Sequence, residues 1–325
     1  MTIAVHISHT GEKGPEYLQA CFTILAKQYP GHQFIFFKEK NQPLFLQETN
    51  CRFFNISPSI KNNLLLHYWY NYKLPGLLQK YNADVFVNEF GVVSLRNNVR
   101  QCMLVKDMQN MKHLTNHGKS SRYAKKFFSQ FVGKASAVCT SSDFIREILQ
   151  EHFPADAGKI QTIYPGLSDL YQPFTFQQKE AVLEKHTQGF SYFFYEVTGD
   201  TSESLLPLLK AFSQFKKWQK SSFKLLLLYK DNIPAMPVKD FHNYKHKDDI
   251  VLKAYKLPAE AAQMTAAAFA VIYLPISFSA GFTGLHALRC RIPLISSDED
   301  FCKNLFSEAA RYCKINADDI AKNMM

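Results

Sequence analysis

The stretch that decides the fold runs from Ile250 to Asp298 and reads IVLKAYKLPAEAAQMTAAAFAVIYLPISFSAGFTGLHALRCRIPLISSD. Its pattern predicts, in order, a short strand at Ile250–Leu252, an Ala-rich helix opened by Pro258, a buried strand at Phe269–Leu274, a loop of small residues with a short helix, and a strand at Ile292–Ser296. Strands that alternate with helices form parallel sheets with helices on both faces. The stretch therefore predicts an α/β fold.

The same alternation continues on the N-terminal side. Further strands are predicted at Ile3–Ile7, Gln33–Phe37, Asp84–Asn88, Gln101–Val105, Ala137–Thr140, Lys159–Tyr164, Tyr192–Val197 and Phe223–Leu228. They form two series divided near residue 172, which predicts two Rossmann-like domains that face a cleft, residues 1–172 and 173–325. In such folds ligands bind at the carboxyl ends of the strands, in the cleft.

Composition indicates a folded protein with an excess of basic residues. Of the 325 residues, 46% are hydrophobic, enough for two cores, and the formal net charge is +10. That charge favours nucleotide phosphates, nucleic acid or lipid headgroups, although a solvated basic surface explains it equally well. We see no Arg-rich stripe and no nucleic-acid-binding motif, so nucleic acid is not an expected partner.

Cysteine usage and hydropathy predict a cytoplasmic location. The seven cysteines form no CxxC pair, which argues against a disulfide framework and a structural zinc site. No signal peptide is visible at Met1–Ser8, and the longest apolar stretch, Ala266–Pro275, is too short to span a bilayer. Any membrane contact is expected to be peripheral, at the inner face. The aromatic residues at 68–72 fit an acceptor surface, a membrane-facing surface or core packing.

Three segments resemble glycosyltransferases of family 4, which have the GT-B fold. They are GKASAVCTSSDFIREILQEHFPADAGKIQTIYPGLSDLYQPF (Gly133–Phe174), LLPLLKAFSQF (Leu205–Phe215) and the stretch Ile250–Asp298 quoted above. The resemblance implies retaining transfer of a sugar from a nucleotide-diphosphate sugar, without a metal or other cofactor. It also implies that the C-terminal domain binds the donor and the N-terminal domain binds the acceptor.

The donor loop of the family carries two glutamates, and this chain has neither. Ser279 falls at the first position and His286 at the second. The small and hydroxyl-bearing residues persist: Gly281, Phe282, Thr283 and Gly284 precede a helix expected to begin near Leu285, and their backbone amides would face an anion. A tight strand-to-helix turn explains the glycines as well, and His286 also fits an ordinary helix position.

The family's diphosphate-gripping Arg-Lys pair is also missing. Ser202 and Glu203 stand at those positions, and Glu203 would repel a diphosphate. Lys230, after the strand Phe223–Leu228, either compensates for the lost cations or is an ordinary surface lysine.

Candidate residues of the N-terminal domain lie near the reacting sugar by the same resemblance. Lys106-Asp107 replaces a His-Asp pair of the family, and these are the predicted catalytic residues; a surface ion pair is the alternative. Gly11 and Gly14, in HTGEKG, occupy the Gly-rich loop that faces the donor, or a plain turn.

These features support two hypotheses. The first is a metal-independent, hexosyltransferase-type glycosyltransferase with a divergent donor site, acting on a glycan or lipid-linked acceptor in polysaccharide biosynthesis. The second is a catalytically inactive GT-B relative that serves as a binding or partner subunit. The C-terminal bracing helices of the family are expected to be missing, because the chain ends at INADDIAKNMM. The donor base, the sugar, the acceptor and the oligomeric state are not determined.

Overall fold

The structure is a computed structural model, and its chain divides into two compact units. It describes residues 1–7, 14–38, 48–58, 60, 62–88, 91–105, 121–164, 166–199, 201–234, 241–276 and 281–325. The N-terminal unit is Met1–Gly166 and the C-terminal unit is Leu167–Met325. Each unit is an α/β structure built on its own parallel sheet.

The described part of the N-terminal unit forms a seven-stranded parallel sheet. Its strands are β1 (Thr2–Ile7), β2 (Gln33–Lys38), β3 (Cys51–Asn55), β4 (Val85–Asn88), β5 (Arg100–Val105), β6 (Ala137–Thr140) and β7 (Ile160–Thr162), in the spatial order β3-β2-β1-β4-β5-β6-β7. Its helices are α1 (Gly14–Gln28), α2 (Asn63–Tyr68), α3 (Leu74–Lys80), α4 (Ser121–Lys134) and α5 (Asp143–His152), with a π-helical turn at Trp69–Lys73 between α2 and α3.

The described part of the C-terminal unit forms a six-stranded parallel sheet. Its strands are β8 (Tyr192–Glu196), β9 (Lys224–Lys230), β10 (Ile250–Tyr255), β11 (Ala270–Tyr273), β12 (Leu294–Ser297) and β13 (Arg311–Cys313), in the spatial order β10-β9-β8-β11-β12-β13. Its helices are α6 (Phe176–Thr187), α7 (Leu205–Gln219), α8 (Pro258–Ala266), α9 (Phe282–Arg289), α10 (Asp300–Phe306) and α11 (Ala317–Met324).

The core explains why these segments fold as they do. All five residues of β8 are buried, as expected for a strand covered on both faces. On α7, the apolar positions Leu205, Leu208, Leu209, Phe212 and Phe215 form one buried face, as the helical spacing predicts. Burial of each such side chain stabilises the fold by roughly 1.5–3 kcal/mol.

The predicted α/β class with two Rossmann-like sheets is confirmed. The predicted elements do not include β3, β13, the helices between residues 63 and 80, α10 or α11. For β3 the reason is that the strand is only partly buried and carries no clear alternation. The helix α5 is capped by Ser142, whose side chain accepts from the backbone N–H of Ile145 at 3.3 Å, and Asp143 lies in the first turn.

Candidate donor site in the C-terminal unit

The sheet order of the C-terminal unit contains one switch in direction, between β8 and β11. From β8 the chain proceeds to β9 and β10 on one side, and it returns to β11 on the other side. Connections from β8 and β11 therefore diverge at their carboxyl ends, which is where doubly wound sheets bind ligands. Glu196 ends β8, and α9 follows β11.

A hydrogen bond joins the two sides of this switch point. The Thr283 hydroxyl donates to Glu196 Oε2 at 2.6 Å, and the Tyr255 hydroxyl donates to Glu196 Oε1 at 3.0 Å. Both Glu196 and Thr283 are buried. The sequence did not single out Glu196, because it ends an aromatic strand and its partners lie 59 and 87 positions further along the chain.

Hydroxyl groups shape the loop after β8. Thr201 is buried, and its hydroxyl donates to the Glu196 carbonyl at 2.8 Å while it accepts from the backbone N–H of Thr198 at 2.9 Å. The Tyr195 hydroxyl donates to the Thr201 carbonyl at 2.6 Å. These bonds hold a turn that presents the side chain of Glu203 to solvent just before α7.

Ser202 and Lys230 occupy exposed positions near the same edge of the sheet. Ser202 begins a 3-10 turn, and its hydroxyl donates to the Gly199 carbonyl at 3.3 Å. Lys230 is the last residue of β9, the neighbour of β8 on the side away from β11. Lys230 therefore lies on the other side of β8 from β11, the strand that precedes α9.

The start of α9 corrects one prediction. The helix begins at Phe282 rather than near Leu285, so Phe282, Thr283 and Gly284 form its first turn instead of a preceding loop. The reason is Gly281, which takes a left-handed conformation (φ 67°) and reverses the chain directly into the helix.

Both glycines of this segment are also required by packing. A Cβ atom on Gly281 would lie 2.2 Å from Leu305 Cδ2, and one on Gly284 would lie 2.4 Å from Phe306 Cζ. The glycines thus allow α9 to pack closely on α10. The backbone N–H groups at the start of α9 lie at the switch point whether the glycines serve a ligand or only the packing.

His286 is stacked against the segment that opens the C-terminal unit. Its ring lies parallel to that of Tyr171, with 3.5 Å between centroids and an interplanar angle of 5°. Arg289, one turn further along α9, donates to the carbonyls of Tyr171 at 2.9 Å and Leu167 at 3.2 Å and to Asp169 Oδ1 at 2.6 Å. These hydrogen bonds and the stacked rings hold the residues at 167–171 against α9.

Of the remaining predicted site residues, Gly14 alone lies within the described part of the chain. Gly14 begins α1. Lys106, Asp107, Gly11 and Ser279 lie outside the described residues.

A buried polar chain marks the corresponding switch point in the N-terminal sheet. His6 on β1 is paired in register with Asn88 on β4. Asn88 Nδ2 donates to the Tyr70 hydroxyl at 2.6 Å, and that hydroxyl lies 2.5 Å from His6 Nδ1. The tautomer of the imidazole decides which of these two atoms donates to the other. Burial lowers the pKa of His6 to about 3, so the ring is neutral.

The described residues contain neither a metal cluster nor a bilayer-spanning helix. Within the described ranges, no three His, Cys, Asp or Glu side chains converge as metal ligands would. None of the helices in that part of the chain combines the length and apolar character needed to cross a membrane.

Comparison with known proteins agrees with the fold. Residues 25–169 match the family model Glycosyltransferase Family 4. No curated protein matches the chain by sequence. The fold is similar to that of a glycosyltransferase from Rickettsia africae, with 16% identity and a TM-score of 0.72, over 99% of this chain and 86% of that one.

Two further structures share the fold. Anabaena HepE in complex with UDP and glucose is 15% identical, with a TM-score of 0.71 over 100% of this chain and 89% of that one. UDP-GlcNAc 2-epimerase from Methanocaldococcus jannaschii is 12% identical, with a TM-score of 0.63 over 100% of this chain and 92% of that one. The chain therefore has the GT-B fold, and its resemblance to glycosyltransferases of family 4 is confirmed over residues 25–169.

Proposed function

We propose that the C-terminal unit binds a nucleotide-diphosphate sugar at the β8/β11 switch point. One observation carries the proposal: the N-terminus of α9 lies at this switch point, with Thr283 of its first turn bonded across to β8. The backbone N–H groups and the dipole of a helix N-terminus favour bound phosphate. The HepE complexes with UDP and glucose and with UDP-glucose make uridine nucleotides the first ligands to test.

In the proposed reaction, the sugar passes with retention to a glycan or lipid-linked acceptor. Residues 1–172 would bind the acceptor and residues 173–325 the donor. Lys106 and Asp107 would lie near the reacting sugar, where the ammonium and carboxylate groups can stabilise charge or accept a proton. The helix N-terminus supplies the positive field for the diphosphate, so the proposed mechanism needs no metal.

The remaining predicted residues keep their proposed donor contacts. The backbone of Gly281–Gly284 would hold the diphosphate, and the Thr283 hydroxyl and the His286 ring would contact the nucleotide or sugar. Other proposed contacts are Gly11, Gly14, Ser202, Lys230 and Ser279.

A second candidate function follows from Glu196. Its carboxylate, bonded to Thr283, places a negative charge at the start of α9, where it interacts favourably with the helix dipole. The same charge opposes a diphosphate at that position. This favours, as the alternative, a relative without donor turnover that acts as a binding or partner subunit.

Calorimetric titration with UDP, UDP-glucose and UDP-GlcNAc, and then with GDP, ADP and dTDP sugars, tests the proposal. We expect one nucleotide to bind, and Thr283→Val to weaken binding about tenfold, as for loss of a hydrogen bond that the hydroxyl accepts from the nucleotide or sugar. Ser213→Ala is the matched control, because that hydroxyl on α7 bonds to Leu209 and Tyr244 instead.

The products separate the remaining possibilities. Release of UDP that depends on an added glycan or lipid-linked acceptor supports transfer, whereas a changed sugar configuration on intact UDP-sugar indicates an epimerase. Binding without turnover favours the partner subunit. If no nucleotide binds at about 1 mM, where even a weak ligand would be partly bound, the proposed donor site is wrong.

A further inference from the structure

The positive charge of the protein is concentrated in one part of the N-terminal unit. Residues 49–142 contain 13 of the 38 Lys and Arg residues but only three of the 28 Asp and Glu residues, Asp84, Glu89 and Asp107. This segment alone accounts for the net charge of +10, and the rest of the chain is balanced. Such an asymmetry attracts an extended anionic surface to one side of a protein.

The same segment exposes a row of large apolar side chains, which we call the α2 ridge. The ridge consists of Leu64, Tyr68 and Tyr72, which are 76%, 45% and 50% exposed. They are spaced four residues apart on α2 and the π-helical turn that follows it, so they share one helix face. The rings of Tyr68 and Tyr72 are stacked, with 6.1 Å between centroids.

The opposite side of this helix is fixed in the core, so the ridge is held rigidly. Trp69, Tyr70 and Asn71 are all buried. Asn71 donates to the Tyr123 hydroxyl of α4 at 2.7 Å and accepts from the backbone N–H of Leu95 at 2.9 Å. Little backbone conformational entropy is therefore lost when a partner covers the ridge.

Cations lie beside the ridge. The Arg96 guanidinium is 4.4 Å from the centre of the Tyr72 ring. On α4, the Lys126 ammonium is 5.3 Å from the ring of Phe127, which in turn contacts His67 next to Tyr68. Apolar and aromatic side chains thus stand between basic ones, with no acidic residue in the sequence between positions 49 and 83.

We propose that the α2 ridge and its flanking cations bind the surface of a bilayer that contains anionic phospholipids. Tyrosine favours the membrane–water interface, and Leu64 would enter the acyl boundary while Arg96 and Lys126 meet the headgroups. An aqueous anionic partner such as a nucleic acid would satisfy the cations but leave Leu64 in water. The inference does not depend on donor binding.

Vesicle flotation with the full chain tests this proposal. We expect the protein to bind vesicles of phosphatidylcholine mixed with phosphatidylglycerol, much less to phosphatidylcholine alone, and less as salt rises. Arg96→Gln and Lys126→Gln should each weaken partitioning about fivefold. Leu64→Ser should weaken it about tenfold or more, because the apolar side chain no longer leaves water.

Matched controls come from the C-terminal unit. Lys217→Gln and Trp218→Ser change an exposed lysine and a 46%-exposed aromatic side chain on α7, and they should bind vesicles as the unmodified protein does. Circular dichroism verifies that all variants are folded.

Several results would overturn the proposal. They are equal binding to both vesicle types, no binding to either, and ridge variants that bind as well as the controls. Sedimentation velocity adds one more: if the ridge variants convert an oligomer to a monomer, the ridge joins copies of this chain. Competition by a short nucleic acid duplex that abolishes binding regardless of Leu64 would assign the cations to that partner instead.

Discussion

At the scale of single residues, the proposed donor site differs from the site that the family resemblance implies, because other residues stand where charged ones are expected. Ser202 and Glu203 are exposed where the family resemblance implies cations. The carboxylate at the switch point is Glu196, and hydroxyl groups of Thr283 and Tyr255 donate to it from two other elements. This arrangement satisfies a buried carboxyl group, since a buried polar group requires hydrogen bonds to offset its desolvation.

Glu196→Gln tests whether that charge opposes the nucleotide. The amide keeps an oxygen for the Thr283 hydroxyl but removes the negative charge at the start of α9. We expect UDP to bind on the order of tenfold tighter, as for loss of one nearby like charge in a partly screened site. Calorimetry measures the change. Weaker binding would mean instead that the carboxylate accepts hydrogen bonds from the donor.

His6 makes the stability of the N-terminal unit depend on pH. Its pKa is lowered by burial from 6.5 to about 3, so the unfolded chain binds a proton that the folded chain excludes. Above pH 6.5 the ring is neutral in both the folded and the unfolded chain, so it does not change the free energy of unfolding. As the pH drops from 6.5 to about 3, the free energy of unfolding falls by about 1.4 kcal/mol per pH unit, because the unfolded chain binds a proton there. We expect His6→Gln to flatten this slope.

Fluorescence offers a selective readout of that slope. Only two tryptophans occur, Trp69 in the N-terminal unit and Trp218 in the C-terminal unit. In a Trp218→Phe background, urea unfolding followed through Trp69 reports the unit that contains His6. His242→Gln, at an exposed position of the C-terminal unit, is the control. An unchanged slope in His6→Gln would refute the assignment.

At the scale of elements, α9 shows where local sequence signals reach their limit. The run GFTG was expected to precede the helix, because glycine is a poor helix former. In the fold, Gly281 starts the helix through its positive φ and Gly284 lies inside it, against Phe306. Contact with α10 decides the conformation of this segment, and no periodicity in the sequence reveals that contact.

Gly284→Ala measures how tightly α9 packs on α10. The added methyl group would lie 2.4 Å from the buried ring of Phe306, so we expect a loss of about 1–3 kcal/mol in the free energy of unfolding, despite the better helix propensity of alanine. Gly133→Ala on α4 is the matched control, because nothing lies within 4 Å of its added carbon.

Denaturant unfolding followed by circular dichroism compares the two variants. We expect the control to be unchanged or more stable, by up to about 1 kcal/mol. If Gly284→Ala were as stable as the control, the close approach of α9 and α10 would be wrong.

At the scale of the whole molecule, the alternation of strands and helices determined the α/β class and the two parallel sheets. Parallel strands require crossover helices, and the buried apolar runs and helical faces are local patterns visible in the chain. The resemblance to family 4 also came from the sequence, because it rests on the order and spacing of many elements.

The tertiary structure alone decided which residues meet. Glu196 and Thr283 are 87 positions apart and come together because β8 and β11 are neighbours at the switch point. The chain of Asn88, Tyr70 and His6 forms for the same reason at β1 and β4. Strand order depends on the packing of every crossover helix onto the sheet, so the sequence predicted the strands but not their neighbours.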